Sequence, residues 1–246
     1  MPAADVEIAR AWLLERFPSG FEETDAPGAT ELAVYTDEMG EVEICGAFPG
    51  ARSELVDEGW EDRWKEFHRP VRAGGLWIGP PWISPPIDAV AVVVDPGRAF
   101  GTGAHPTTRA CIELLSALKR GSLLDAGCGS GVVAVAAARL GFAPVRAVDI
   151  DDVAVGVAAE TARRNKVEVH VECADVLRDE LPVADVVVAN IELAVVEQLL
   201  SRARAGIAVT SGYLASEQPR AHGWIGVDRM ELDGWAADVF SRAALS

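Results

Sequence analysis

LLDAGCGSG, residues 123–131, decides how the rest of the chain is read. Two leucines close a short apolar run, and Asp125 follows them. Gly127, Gly129 and Gly131 then come at alternate positions before the Ala/Val-rich stretch VVAVAAARLG, which ends at Gly141. The order is that of a strand, a glycine turn and a helix. Glycine serves where backbone turns tightly or passes close to a ligand. The helix start beyond it offers unpaired N–H groups. Eighteen residues after Gly131, at the end of PVRAVDI, stands Asp149. An acid at the tip of the second strand of a βαβ unit suits the two hydroxyls of a ribose. A dinucleotide fingerprint would need its third glycine at position 132, where the chain has Val132.

Downstream the pattern alternates. Strand 145–150 leads to a helix over 152–165. VEVHVEC (167–173) alternates strictly, which puts His170 on one face with Glu168 and Glu172, toward solvent and away from any ligand role. DVVVAN (185–190) leads to a helix through about Arg204. GIAVTSGYL (206–214) is a fifth strand, and the tail WIGVDRMELDGWAADVFSRA reads as two strands joined near LDG. This predicts an α/β fold: a doubly wound, mostly parallel seven-stranded Rossmann-like sheet ending in an antiparallel pair. Ligands then lie beyond the carboxyl ends of the strands. Asp125, Asp149, Asp175 and Asn190 all fall at such ends or just past them, which predicts one shared site.

Upstream, RAFGTGAHPTTRACIELLSAL (98–118) gives a glycine loop with Gly101 and Gly103, Pro106 at a helix start, two threonine hydroxyls, and then Ile112, Leu115 and Leu118 along one side. His105 in this loop reads either as a catalytic group or as a residue that orders the turn. Residues 72–98 lack helical periodicity, and LWIGPPWISPP reads as extended backbone and turns, with AVAVVV (89–94) a strand. Residues 71–98 are therefore taken as the linker and approach to a catalytic domain over 99–246. The front, 1–70, reads as a small acidic α+β module. It has a helix over 4–17, strands at 31–37 and 41–48, and an aromatic helical face from Trp60, Trp64 and Phe67.

Net charge is −16, of which residues 1–70 carry −11. An acidic front argues against direct nucleic-acid binding and favours a basic partner or plain solubility. No apolar run spans a bilayer, and no leader pattern opens the chain. Cys45, Cys111, Cys128 and Cys173 form no CxxC and no zinc spacing with histidine, so free thiols in the cytoplasm and no metal are expected.

The GxGxG turn resembles the first motif of class I S-adenosylmethionine methyltransferases. FGTGAHPTT, LLDAGCGSG, AVDID and VVVANI, in this order, together resemble the ribosomal protein L-eleven methyltransferase (PrmA) family over most of the chain. WEDRWKEFHRPVRAGGLWIGPPW, FEETDA and SGYLASEQ resemble that family's linker, its small recognition domain and its SGIL stretch. The resemblance implies a methyltransferase sheet. It also implies S-adenosylmethionine as cofactor, and methylation of α-amino and lysine groups on a basic large-subunit ribosomal protein. It implies cofactor contacts at Thr108, Gly127, Asp149 and Asn190, joined by Asp125, Gly129, Gly131, Ile150 and Asp175 in the same motifs and strand ends. Phe100, Thr102 and His105 lie in the signature loop, and Asn190, Thr108 and His105 are the candidate catalytic residues.

Methyl transfer from a sulfonium needs alignment and exclusion of water more than acid–base help. The amine must be neutral, and an amide at a strand end can accept its hydrogen bond and aim its lone pair. Asn190 is so placed, though it also reads as a cap for the next helix. Asp175 reads as a partner for the adenine amino group or as an ordinary cap. Two departures bear on the acceptor. The family's front domain opens with a strand, whereas this chain begins almost directly in the helix. The family's Asn-Ile-Leu-Ala is here Asn190-Ile191-Glu192-Leu193, which adds a negative charge near the amine pocket. The same chemistry on another amine, and a non-catalytic S-adenosylmethionine-binding module, are the competing readings.

Overall fold

The computed structural model describes residues 9, 12, 13, 16, 17, 22–26, 29–34, 36, 38–54, 68–96 and 103–243. The chain divides into two compact units, Met1–Glu61 and Asp62–Ser246.

In the front unit, β1 (Glu22–Ala26) and β2 (Ala29–Ala33) pair antiparallel, with Glu22 opposite Ala33. Helix α1 follows at Glu38–Ala47. Ala9, Trp12, Leu13 and Arg16 are helical, and Ala9 and Leu13 are buried. Trp12 meets Phe48 edge-on at 5.2 Å, and Arg16 reaches Glu43 at 2.8 Å. The strand expected at 41–48 is instead helix α1, and the hairpin lies one element earlier. The alternation of Val42 and Ile44 was too short to decide the period. Val42 is 74% exposed, so it faces no core, and the glutamates around it favour helix. Trp60, Trp64 and Phe67 lie outside the described residues.

The larger unit opens with a three-stranded sheet in the order β3 (Val71–Ala73), β4 (Leu76–Gly79), β5 (Ala91–Val93). The strand expected at 89–94 forms as β5, and the extended stretch before it pairs as well: β3 runs antiparallel to β4, and β4 parallel to β5. Its buried Leu76, Ile78 and Val92 share a core with Ile112, Leu115 and Val135. Asn165 stitches β5 down, accepting from the Val93 N–H and donating to the Val93 carbonyl, each at 2.7 Å.

Then come α2 (Pro106–Ala117), β6 (Leu123–Ala126), α3 (Val132–Leu140), β7 (Val145–Asp149), α4 (Asp152–Arg164), β8 (His170–Cys173), β9 (Ala184–Asn190), α5 (Leu193–Arg202), β10 (Ala205–Leu214), β11 (Trp224–Leu232) and β12 (Trp235–Arg242). The seven strands order as β11-β12-β10-β9-β6-β7-β8. Pairs from β8 through β10 are parallel, and β12 runs antiparallel between β10 and β11. The expected doubly wound sheet with an antiparallel edge pair is what forms.

Strand alternation sends neighbours to opposite faces. Leu123, Val186 and Val188 join the core under α2, α3 and α4, while Leu124, Val187 and Ala189 join the core under α5. Alanines at 134, 136 and 137 are fully buried, and their small size lets α3 lie close on the sheet. Among the described residues no helix is long and apolar enough to cross a membrane.

Candidate functional site

After β6 the chain winds outward through β7 and β8, then returns to the other side of β6 as β9. That reversal opens a crevice beyond the carboxyl ends of β6 and β9. The glycine turn follows β6 there, and Asn190 ends β9.

Gly127, Gly129 and Gly131 all take positive φ (79°, 51° and 76°), where other residues are strained. The turn is pinned to β7: the N–H groups of Gly127 and Cys128 donate to the Val148 carbonyl at 2.8 and 3.0 Å. Bare glycine is also needed for packing. A Cβ on Gly131 would stand 2.8 Å from Cβ of Ala158 on α4, and one on Gly127 would stand 2.5 Å from Cγ2 of Ile191. The glycines therefore seat neighbouring elements as well as shaping the loop.

Asp149 receives the Gly129 N–H on Oδ2 at 2.8 Å and the Asp151 N–H on Oδ1 at 3.1 Å. Its carboxylate is thus fixed in direction at the end of β7. Ile150 beside it is 68% exposed, an apolar surface next to an oriented acid. Asp175 folds onto its own turn, Oδ1 accepting from the Leu177 N–H at 2.8 Å, with Arg178 3.4 Å away. No helix begins there, so the expected helix cap is instead the closure of a turn between β8 and β9.

Asp125 is 2% exposed, beneath the turn. Its Oδ2 accepts from the Ala134 N–H at 2.9 Å, so it serves the open start of α3, whose cap position, Gly131, has no side chain to offer. Burial raises its pKa to about 7, against the Ala134 bond, with the like charge of Asp149 adding to the rise. The folded protein therefore holds this proton in the interval from about 4 to 7 where the unfolded chain releases it, and stability falls as pH rises through that interval. Asp125→Asn keeps an oxygen for Ala134 and cannot ionise. Its melting temperature relative to the native chain is expected to climb between pH 5 and pH 8. A difference that stays constant with pH would refute the assignment.

Asn190 does not cap α5; the cap position is Glu192, which makes no side-chain cap bond. Instead Asn190 Nδ2 donates to Thr108 Oγ1 at 3.2 Å, and Thr108 is 1% exposed. This bond ties the end of β9 to the first turn of α2. His105 is the cap of α2: Nδ1 lies 2.7 Å from Thr107 Oγ1 and accepts from the Thr107 N–H at 3.4 Å. Its ring meets Trp235 edge-on at 4.9 Å, and burial lowers its pKa. A cap exchanged for alanine costs about 1 kcal/mol, whereas asparagine caps well. His105→Ala is accordingly expected to lower unfolding stability by about that amount and His105→Asn to retain it, read by urea denaturation. Equal stabilities in the two variants would remove the capping role.

Phe100 and Thr102 lie outside the described residues. Four other residues escaped the sequence reading. Ile191 fills the space left by Gly127. Gly212, at φ 103° in a β10 bulge, would place a Cβ 2.1 Å from the Ile191 carbonyl oxygen. Trp235 holds His105 from the β11–β12 turn. Arg229 ties β11 to β12 and to the turn after β10. The SGY triplet carried a hint of Gly212; the tail carried none of the long-range pairings.

The profile of the ribosomal protein L11 methyltransferase (PrmA) family matches residues 22–237. A ribosomal protein L11 methyltransferase of Methylococcus capsulatus is 44% identical over 173 residues, 66% of this chain and 59% of that one. That of Pelobacter propionicus is 39% identical over 214 residues, 78% and 69% of the two chains. That of Dictyoglomus thermophilum is 38% identical over 172 residues, so the chain spans 57% of that relative's length. Among solved structures, a ribosomal protein L11 methylase from Lactobacillus delbrueckii subsp. bulgaricus superposes with a TM-score of 0.64 at 26% identity, covering 72% of this chain and all of the other.

Proposed function

Because the chain belongs to the ribosomal protein L11 methyltransferase family, we propose that it uses S-adenosylmethionine to methylate amino groups on a large-subunit ribosomal protein. The single observation that carries the reading is the Asn190–Thr108 bond at the switch point of the sheet. With Nδ2 committed to Thr108, the Asn190 Oδ1 is left to accept a hydrogen bond from an incoming amine and to aim its lone pair.

The residues at the crevice fit the cofactor. Asp149 offers an oriented carboxylate for ribose hydroxyls, with a second lone pair on each oxygen. Ile150 offers an apolar face for adenine, and Asp175 borders it from the turn it closes. The Gly127–Gly131 turn borders the methionine portion, and Thr108 anchors the far wall. Phe100 and Thr102, in the signature loop, complete the proposed contacts. Bound S-adenosylmethionine supplies a methyl group on a cationic sulfur, already activated for transfer. The chain's own task is to hold an unprotonated nitrogen in line and exclude water. An α-amine, with a reference pKa of about 7.7–8.0, is neutral more readily than a lysine at about 10.4.

Glu192 is exposed at the start of α5 and adds negative charge on the acceptor side, which suits a cationic amine. The net charge of −16 suits a basic protein partner and disfavours nucleic acid. All four cysteines are free, in keeping with action in the reducing cytoplasm.

The test is transfer of labelled methyl from S-adenosylmethionine to purified large-subunit ribosomal proteins, read by intact mass. Added mass in whole methyl steps on the L11 protein alone is expected. No added mass on any ribosomal protein, with cofactor binding intact by calorimetry, would overturn the acceptor and move the reading to a different amine.

A further inference from the structure

We propose that Arg229, on β11, is a positioning residue for the acceptor side of the site; the inference rests on the amine-methylation reading above. One arm of its guanidinium is locked into the sheet. Nη1 donates to both carboxylate oxygens of Asp238, at 3.2 and 2.9 Å, and Asp238 is 5% exposed. Asp238 is itself fixed by the Tyr213 hydroxyl at 2.8 Å, and that hydroxyl lies 2.7 Å from Thr210 Oγ1. The other arm leaves the sheet. Nη2 donates to the carbonyls of Ala215 and Glu217, at 2.8 and 2.9 Å. These two residues form the turn after β10. The turn closes on itself through Glu217 N–H to the Leu214 carbonyl and Leu214 N–H to Glu217 Oε2. It also touches the β11–β12 turn through the Ala215 N–H and the Gly234 carbonyl at 2.8 Å.

The placement of this turn gives the network its meaning. Ser211 of β10 is the ladder partner of Asn190, and the Ile191 N–H donates to the Ser211 carbonyl at 3.1 Å. Leu214 comes three residues later; the Gly212 bulge takes up one of them, so it lies two ladder positions, roughly 7 Å, farther along the strand. The turn therefore stands beyond the carboxyl end of the sheet on the Asn190 side, away from the Asp149 side where the cofactor's ribose is read. An acceptor chain delivering an amine to Asn190 meets this turn as a wall. Arginine suits the post because its planar fork can face a carboxylate and two carbonyls at once; a lysine ammonium cannot span both.

The test separates position from stability. Arg229→Met alone strands a buried carboxylate and is expected to lower the melting temperature. Arg229→Met with Asp238→Asn removes both charges and leaves an amide oxygen for Tyr213, so the melting temperature should return toward the native value. The two turn carbonyls still lack their donor. In this double variant the KM for the ribosomal protein acceptor is expected to rise about tenfold, as for a misplaced docking element, with cofactor affinity unchanged. Amide exchange across residues 212–218 is expected to quicken. Arg229→Lys, which keeps the charge opposite Asp238, should fold and show the same rise in KM. A double variant with restored stability, native acceptor KM and native exchange would make Arg229 a stability residue only and overturn the proposal. Should the native chain methylate no ribosomal protein, that failure belongs to the functional reading. The exchange measurement then decides alone: native protection at 212–218 in the double variant overturns the positioning role, and its loss upholds it.

Discussion

Replacing Asp149 by alanine is expected to weaken S-adenosylmethionine binding roughly tenfold to a hundredfold, about 1.5–3 kcal/mol, for loss of charged hydrogen bonds that water partly relieves. The structure sharpens the reason. The carboxylate is already held by two backbone donors, Gly129 N–H on one oxygen and Asp151 N–H on the other. Its remaining lone pairs therefore point without further ordering cost, the preorganisation that makes a polar contact count. The same bonds mean that alanine also frees the glycine turn from β7 at one point. Asp149→Asn separates the two effects. It keeps one oxygen for a backbone donor but loses the charge and one acceptor, so an intermediate loss is expected. Calorimetric titration with S-adenosylmethionine checks both variants, with melting temperature measured alongside. Native affinity in Asp149→Ala would remove the ribose role.

The placing of Asp149 at the end of β7, beside the glycine turn, was legible because its signals are local. A strand, three glycines, a helix and an acid at the next strand tip all lie within 27 residues, 123–149, and each obeys a rule about its own neighbourhood. The βα alternation that follows was legible for the same reason, and it yielded the order of elements from β6 to β12. Where two periods compete in a short segment the reading failed. Val42 and Ile44 suggested a strand, and the chain made a helix whose Val42 stays in solvent. The strand at 89–94 was legible as β5, but the prolines and tryptophans of 76–86 concealed its partners β3 and β4, strands of three and four residues, too short for periodicity to register. The site's supports were invisible for a different reason. His105 meets Trp235 across 130 residues, and Asn190 meets Thr108 across 82. Nothing in either segment alone announces its partner. Gly212 is intermediate: the sequence marks a glycine in a strand, which suggests a bulge or close approach, but only the fold supplies the Ile191 carbonyl that fills the space.

Asn190→Ala is expected to lower turnover on the amine acceptor by roughly a hundredfold, a loss of aligned geometry rather than of binding, while S-adenosylmethionine affinity shifts far less. Alanine removes both ends of the amide: the Nδ2 that anchors to Thr108 and the Oδ1 that receives the amine N–H. Thr108→Val tests the anchor alone. With no oxygen to receive Nδ2, the amide can rotate and present either end, and a smaller fall in turnover is expected. Asn190→Asp tests the charge. A carboxylate there favours the ammonium form of the acceptor and holds it in the unreactive state, as an opposite charge does to any nearby amine. KM for the acceptor should fall together with kcat, the mark of tighter ground-state binding without transition-state gain. The rate should also recover only at higher pH, because the acceptor's pKa is raised. Single-turnover rates across pH, with cofactor affinity measured in parallel, check the three variants together. Equal losses in cofactor affinity and turnover for Asn190→Ala would make the residue a cofactor contact alone and leave the aiming of the amine to other groups.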